Sequence, residues 1–183
     1  KPNSGDSILL EFVSSNPTGP LHVGHGRHAA YGDSLAKILR KAGYNVSSEY
    51  YINDSGRQID LLILSVVVAL INKNEILLKV PGACYKGSYI GNLIGVIPKK
   101  AIKEIDKLSL SDLKIKEADD DSEADALISV IKGSVGESIF EEVTVSIVEE
   151  MVKIIKSDLS DFGVEFNQWF SEKNMIKDSK ISL

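Results

Sequence analysis

The hydrophobic pattern at the beginning of the chain predicts one strand–helix–strand unit. Residues 7–13 form a short, mostly apolar run, as expected of a buried strand. From about Gly26 to Ala42 the apolar residues recur at helical spacing, and Gly43 follows where helices commonly end. Residues 45–52 are predicted to form a second strand. A crossover of this length brings the second strand back in the same direction, so the pattern predicts a parallel sheet.

The rest of the chain is predicted to be mainly helical, with one more strand. Residues 57–72 are apolar nearly all round, which is typical of a helix that is at least partly buried. Residues 137–162 carry one apolar stripe at helical spacing, and residues 164–170 are predicted to form a short strand. The acidic run 117–125 is expected to be a solvated or disordered loop. We therefore expect an α/β sheet interrupted by a mainly helical insertion.

Composition and charge exclude several classes of protein. The 183 residues carry a net charge of −5, which is not the electrostatic footprint of a bulk nucleic-acid-binding protein. The longest apolar stretch, within residues 61–71, is too short to span a bilayer, and no secretory signal opens the sequence. The single cysteine, Cys84, excludes an internal disulfide and any cysteine cage for zinc. These features predict a cytoplasmic protein with neither a membrane nor DNA as its partner.

Polar and glycine residues concentrate in three segments that follow the predicted strands, at residues 14–26, 53–58 and 170–172. Ligands bind beyond the carboxyl ends of the strands in an open parallel sheet, so these segments form the candidate site. In the first segment, His22 and His25 stand just before a helix, where backbone N–H groups and the helix dipole favour an anion. Two imidazoles can donate to phosphate oxygens as charge develops there, so the segment predicts a phosphate site built for turnover.

Three other interpretations of the histidine segment stay open on the residues alone. His22 and His25 can be ordinary loop histidines, and with His28 they can be metal ligands, although no neighbouring carboxylate or cysteine completes a known zinc set. Residues 24–29 also fit the G-x-G-x-x-A pattern of nicotinamide-dinucleotide sites, with Glu49 about 20 residues further on. That pattern requires the strand to run directly into the glycine turn, whereas a long loop with prolines intervenes here.

The histidine segment also resembles a family signature. His22-Val-Gly-His25 is similar to the His-x-Gly-His signature of class I aminoacyl-tRNA synthetases, and residues 11–27 resemble the bacterial arginyl-tRNA synthetase form almost residue for residue. The resemblance continues in the same order at residues 50–58, 85–90 and 161–172. It is weakest over residues 108–136.

The resemblance implies a Rossmann-like parallel sheet, the first half of a class I synthetase nucleotide-binding fold, with a mainly helical insertion. It assigns residues 1–72 to the first part of the catalytic domain and residues 73–136 to a connective insertion. Residues 137–183 then return to the catalytic domain. The family's Lys-Met-Ser-Lys-Ser loop is absent, and residues 180–183 resemble it only in part. The resemblance therefore implies a fragment of the catalytic domain that ends before that loop.

Members of this family convert ATP and L-arginine to arginyl-adenylate and then pass the arginyl group to tRNA(Arg). The resemblance implies that His22 and His25 are catalytic and stabilise the triphosphate of ATP. The other residues to which it gives a role in ATP binding are Thr18, Gly19, Pro20 and Gly24. The residues to which it gives a role in arginine binding are Glu11, Ser14, Ser15, Asn16 and Glu172. Because a carboxylate accepts a guanidinium bidentately, Glu172 suits the substrate side chain.

Further expectations follow from the resemblance. Mg²⁺ is expected only together with ATP, no protein-bound metal is predicted, and the parent enzyme is expected to be monomeric. The isolated chain, without the second phosphate-binding loop, is expected to be inactive. A solvated glutamate stays an alternative for Glu172, and turn or cap chemistry is favoured for Asp54. A nicotinamide-dependent oxidoreductase and a catalytically silent binding module for tRNA or protein also stay open.

Overall fold

The computed structural model describes residues 7–73, 78–113, 115 and 119–177, in two compact units. The first unit comprises the described parts of residues 1–55 and 152–183, and the second comprises those of residues 56–151. The elements, in chain order, are β1 (Ser7–Glu11), α1 (Val23–Lys41), β2 (Asn45–Ile52), α2 (Arg57–Lys73), α3 (Ser88–Leu93), a 3₁₀ turn (Ile94–Val96), α4 (Lys99–Ile105), α5 (Leu110–Leu113), α6 (Asp120–Val135), α7 (Glu137–Asp161), β3 (Gln168–Ser171) and α8 (Glu172–Lys177).

The sheet of the first unit has three parallel strands in the order β1-β2-β3. Glu11 lies opposite Glu49 in one ladder, and Ile52 lies opposite Ser171 in the other. Because all three strands run in the same direction, they end at one edge, which we call the carboxyl edge. The predicted α/β class and the Rossmann-like parallel arrangement are confirmed.

Strand β2 buries one face, as its alternating pattern requires. Its inward residues join the end of α7 and the segment after it in one apolar cluster. The fully buried members of this cluster are Ala29, Tyr50, Ile52, Ile155, Leu159 and Val164. Phe12, Val13, Leu21, Val152, Phe166 and Trp169 are partly buried and pack against it. The cluster fixes α1, the loop after β1 and the carboxyl half of β2 against one another.

Strand β3 is shorter than predicted, for a physical reason. It begins at Gln168 rather than at Val164. The side-chain oxygen of Asn167 accepts the backbone N–H of Ser48 at 2.8 Å and the Ser48 hydroxyl at 2.9 Å. The N–H group that a longer ladder would use is therefore occupied by a side chain. Val164 is buried without belonging to the strand.

The regular elements of the second unit are helices joined by loops, and the structure describes no strand among residues 78–113 and 119–136. Helix α2 packs against α3 and α6, and nearly all its residues from Ile59 to Ile71 are buried. Ser65, within α2, donates to the Leu61 carbonyl and accepts the N–H of Tyr85 at 2.9 Å. The predicted burial of this helix and the helical character of the insertion are confirmed. In the described ranges no helix is long and apolar enough to cross a bilayer.

The acidic run is not a loop over its described part, so that prediction is wrong there. Asp119 accepts the N–H groups of Asp121 and Ser122 and thereby caps α6, which begins at Asp120. Arg57 forms ion pairs with Asp121 and Asp125 at 2.8 and 2.9 Å. Acidic residues in a first turn also interact favourably with the helix dipole. Residues 117–118, and the partial signature at 180–183, lie outside the described residues.

Candidate functional site

The loop after β1 has an unusual backbone. Val13 and Ser14 have positive φ angles of 66° and 41°, although neither is glycine. The Ser14 N–H donates to the Phe12 carbonyl at 3.0 Å, which closes a γ-turn centred on Val13. The left-handed region is disfavoured for a β-branched residue, so this turn must be held by contacts elsewhere.

Two tyrosines of β2 provide those contacts. The Tyr51 N–H donates to Ser14 Oγ at 3.1 Å. The Tyr50 hydroxyl accepts the Ser15 N–H at 3.1 Å, lies 2.7 Å from Ser15 Oγ, and donates to the Ser15 carbonyl at 3.0 Å. Burial raises the pKa of Tyr50, against the opposing effect of the Ser15 hydrogen bonds, so the hydroxyl keeps its proton. One donor and two acceptor positions on this oxygen are thus matched by the three atoms of Ser15.

His22 and His25 together cap the beginning of α1. His22 is the N-cap residue, and its Nδ1 accepts the Gly24 N–H at 3.1 Å. His25 Nδ1 accepts the His22 N–H at 3.2 Å, and the rings stack with centroids 3.8 Å apart. Because both Nδ1 atoms accept hydrogen bonds, each neutral ring carries its proton on Nε2. Both rings therefore present an Nε2–H donor in addition to the cap contacts.

The capping explains why α1 begins at Val23, three residues before the predicted Gly26. It also explains the glycine in the middle of the signature. A Cβ atom on Gly24 would lie 2.9 Å from Cε1 of His22, which is closer than real Cβ contacts come. His22 can therefore fold back over the helix start only when residue 24 has no side chain.

The charge state of His25 follows from its surroundings. Partial burial lowers the pKa of His25, and the neighbouring imidazoles of His22 and His28 lower it further. The ring is therefore kept neutral around physiological pH. A neutral imidazole with Nε2–H is a hydrogen-bond donor that brings no charge of its own.

The carboxyl edge also carries a group of carboxylates. With its amide nitrogen facing Glu172, Asn53 donates to Glu172 Oε2 at 2.7 Å, and Ser55 Oγ donates to the same oxygen at 3.3 Å. Desolvation raises the pKa of Tyr51, and the carboxylates of Glu172, Asp54 and Glu11 raise it further. Negative charge from the ends of the strands thus converges around Tyr51, which favours a cation at this edge.

Asp54 makes the turn and cap hydrogen bonds predicted for it. Its carboxylate accepts the N–H of Lys173 at 2.9 Å and the hydroxyl of Ser171 at 2.5 Å. These contacts tie the end of β2 to the beginning of α8 and so fix Glu172, the first residue of that helix.

The predicted site residues lie in three places along the carboxyl edge. Glu11 ends β1, and Ser14, Ser15, Asn16, Thr18, Gly19 and Pro20 form the loop that follows it. His22, Gly24 and His25 lie at the beginning of α1, and Glu172 follows β3. The sequence reasoning missed Tyr50 and Tyr51. The signal for Tyr50 was available, since it falls on the buried face of β2 and a buried tyrosine hydroxyl needs a partner.

Two alternatives find no support in this geometry. The loop from Phe12 to His22 separates β1 from α1, and Gly24 and Gly26 lie within the helix, so no glycine turn joins strand and helix as dinucleotide sites require. Among the residues that the structure describes, no group of three or more His, Cys, Asp or Glu side chains is arranged to hold a metal ion.

Comparisons with known proteins agree on one family. Residues 2–81 match the family described as tRNA synthetases class I (R), catalytic domain. The chain is 42% identical to an arginine–tRNA ligase of Vesicomyosocius okutanii over 97% of this chain and 31% of the relative. It is 40% identical to the arginine–tRNA ligase of Nitrosospira multiformis over 94% of this chain and 30% of the relative.

Solved structures give the same result. A Campylobacter jejuni structure described as an arginyl-tRNA synthetase superposes with a TM-score of 0.66 at 29% identity, over 94% of this chain and 32% of that one. The Thermus thermophilus arginyl-tRNA synthetase, at 21% identity and a TM-score of 0.50, shares the fold. The chain spans about 30% of the length of the relatives it matches. Over nearly its whole length, the chain is similar to one segment of arginyl-tRNA synthetases.

Proposed function

We propose that this chain forms the first half of a site that activates L-arginine with ATP, for transfer of the arginyl group to tRNA(Arg). The observation that carries the proposal is the paired cap of α1. It presents two Nε2–H donors beside the amino end of a 19-residue helix, next to a carboxylate-rich sheet edge. Donors for phosphate and acceptors for a cation are the two requirements of arginine activation.

The chemistry at the phosphate end is electrostatic. An oxygen of the arginine carboxylate attacks the α-phosphorus of ATP, and the bond to the pyrophosphate oxygen breaks, so negative charge shifts along the phosphate oxygens. The Nε2–H groups of His22 and His25 would donate to these oxygens, with Thr18, Gly19, Pro20 and Gly24 completing the ATP site. Preorganised donors of this kind stabilise the transition state without transferring a proton.

The arginine end would use the carboxylates. Glu172 would accept the guanidinium, and the hydrogen bonds from Asn53 and Ser55 keep its carboxylate in one orientation. Glu11 and the loop residues Ser14, Ser15 and Asn16 would hold the α-amino and carboxylate groups.

In this proposal Mg²⁺ is bound to ATP and not to a metal site of the protein. The residues assigned to the phosphates are hydrogen-bond donors, whereas Mg²⁺ prefers oxygen ligands, so the metal would arrive on ATP. Further parts of the proposal are a cytoplasmic, monomeric parent enzyme and the division of the chain at residues 72 and 136. The 183-residue chain by itself is proposed not to charge tRNA, since its sequence has no second phosphate-binding loop.

The test is arginine-dependent exchange of pyrophosphate into ATP by the protein expressed from the complete gene. We expect exchange with arginine and none with lysine. Glu172→Gln should raise the KM for arginine at least about tenfold, because a charge-assisted hydrogen bond is lost, and leave the KM for ATP unchanged. Glu165→Gln, at an exposed glutamate outside the site, is the matched control. An unchanged KM for arginine in Glu172→Gln would contradict the proposed role.

A further inference from the structure

We infer that Tyr50 is a positioning residue for the arginine pocket: its hydroxyl holds the loop after β1 in the strained shape that presents Ser14 and Asn16 to the ligand. The identity of the ligand rests on the proposed function. The contact between Tyr50 and the loop is independent of the proposed function.

The loop needs an external hold because its own backbone is unfavourable. Val13 and Ser14 both occupy the left-handed region, and the turn centred on Val13 is of the rare positive-φ kind. A second tight turn follows, in which the Thr18 N–H donates to the Asn16 carbonyl at 2.8 Å. Ser15 lies between the two turns, so fixing Ser15 fixes the orientation of both.

The hydroxyl of Tyr50 fixes Ser15 at three atoms. Its contacts with the N–H, Oγ and carbonyl of Ser15 measure 3.1, 2.7 and 3.0 Å. Tyr50 is itself immobilised, being 1% exposed, with its ring stacked on Trp169 at 4.4 Å and packed edge-on against Phe166 at 5.4 Å. The loop is thereby tied to the core of the first unit rather than to another part of the surface.

The geometry separates this role from general stability. The cap formed by His22 and His25 is self-contained, since each ring accepts an N–H group of the cap itself. Loss of the Tyr50 hydroxyl should therefore disturb Ser14, Ser15 and Asn16 most, while the Nε2–H donors of His22 and His25 keep their places. A merely stabilising residue would affect both substrates alike.

The experiment uses Tyr50→Phe in the protein from the complete gene, which removes the hydroxyl and keeps the ring. We expect the KM for arginine in pyrophosphate exchange to rise about tenfold, with a clearly smaller rise in the KM for ATP. Hydrogen exchange followed by mass spectrometry should show faster exchange in residues 12–21 and unchanged exchange in residues 30–41. Tyr31→Phe, at an exposed tyrosine of α1, is the control for the substitution.

A second control, Ile155→Val, removes one methylene from the same apolar cluster and removes no hydrogen bond of the loop. An equal rise of the arginine KM in Ile155→Val, or unchanged exchange of residues 12–21 in Tyr50→Phe, would overturn the inference. If Tyr50→Phe does not fold, Ser15→Ala removes one of the three contacts and is judged by the same hydrogen exchange. Absence of arginine-dependent activity in the unmodified protein would refute the proposed function, and the hydrogen-exchange result would still decide the role of Tyr50.

Discussion

His22 combines two roles that one pair of substitutions can separate. Its Nδ1 caps α1 by accepting the Gly24 N–H, and its Nε2–H is the proposed donor to ATP. Asparagine is among the best N-cap residues, but its shorter side chain cannot place an N–H group where the Nε2–H of His22 lies. Alanine supplies neither the cap nor the donor. We therefore predict that His22→Asn keeps the fold and loses the activity, and that His22→Ala loses both in part.

The magnitudes follow from the geometry. His22 is exposed, so His22→Ala removes little buried surface, and its main cost is that of one N-cap, about 1 kcal/mol within a range of roughly 0.5–2. His22→Asn should stay within about 0.5 kcal/mol of the unmodified protein, because the cap is replaced in kind. Either substitution should lower the rate of pyrophosphate exchange by about 10²–10³, the usual effect of losing one transition-state donor.

Urea unfolding gives the stability, and arginine-dependent pyrophosphate exchange gives the activity, for the same preparations. Full activity in His22→Asn would refute the donor role, since the imidazole would then serve only as a cap. Equal stability of His22→Ala and the unmodified protein would refute the capping argument. Tyr31→Phe, at an exposed residue of α1 outside the cap, is the control and should change neither stability nor activity.

Three further predictions concern pH, packing and the sheet. Because the pKa of His25 lies below its ordinary value of 6.5, the unfolded state binds that proton more readily, so stability is full above pH 6.5 and falls below it. We expect His25→Gln to reduce this loss in urea unfolding at about pH 5. Gly32→Ala should cost about 1–3 kcal/mol of unfolding free energy, because its Cβ would lie 2.2 Å from Cγ of Phe12. Asn167→Ala should cost about 1–3 kcal/mol in the same assay, since it removes the acceptor of the backbone N–H of the buried Ser48.

Each of these predictions has a matched control. His28→Gln removes only the smallest of the three causes that lower the pKa of His25, so it should reduce the loss less than His25→Gln does, and an equal effect would argue against His25. Gly26→Ala adds a Cβ with nothing within 4 Å, so it should be tolerated, and destabilisation as large as that of Gly32→Ala would contradict the packing argument. Asn167→Asp keeps the accepting oxygen and should be milder than Asn167→Ala.

The regular elements could be predicted because their periodicity coincides with their burial. Strand β2 begins and ends at the predicted residues, and α2 differs by one residue at its end. The beginning of α1 was missed because histidine is not among the usual N-cap residues. The beginning of β3 was missed because the apolar pattern continues upstream, whereas pairing is stopped by one asparagine side chain.

The sequence marks candidate site residues, but it does not specify how their side chains are arranged. The signature marks His22 and His25, yet their mutual stacking and shared capping depend on ring orientations that spacing does not specify. Val13 and Ser14 give no sequence signal of positive φ, since that conformation is imposed by tertiary contacts. The role of Tyr50 depends on the same contacts and becomes visible only when the loop is folded against β2.

The central claim, a site for activated arginine, is tested most directly by calorimetric binding of a non-hydrolysable arginyl-adenylate analogue. The lysyl analogue and NAD are the comparison ligands, and the His22→Ala, His25→Ala double variant is the control protein. We predict binding that prefers the arginyl analogue and is lost in the double variant, in a protein that unfolds cooperatively. Equal affinity for the arginyl and lysyl analogues, or binding of NAD in their place, would contradict the claim.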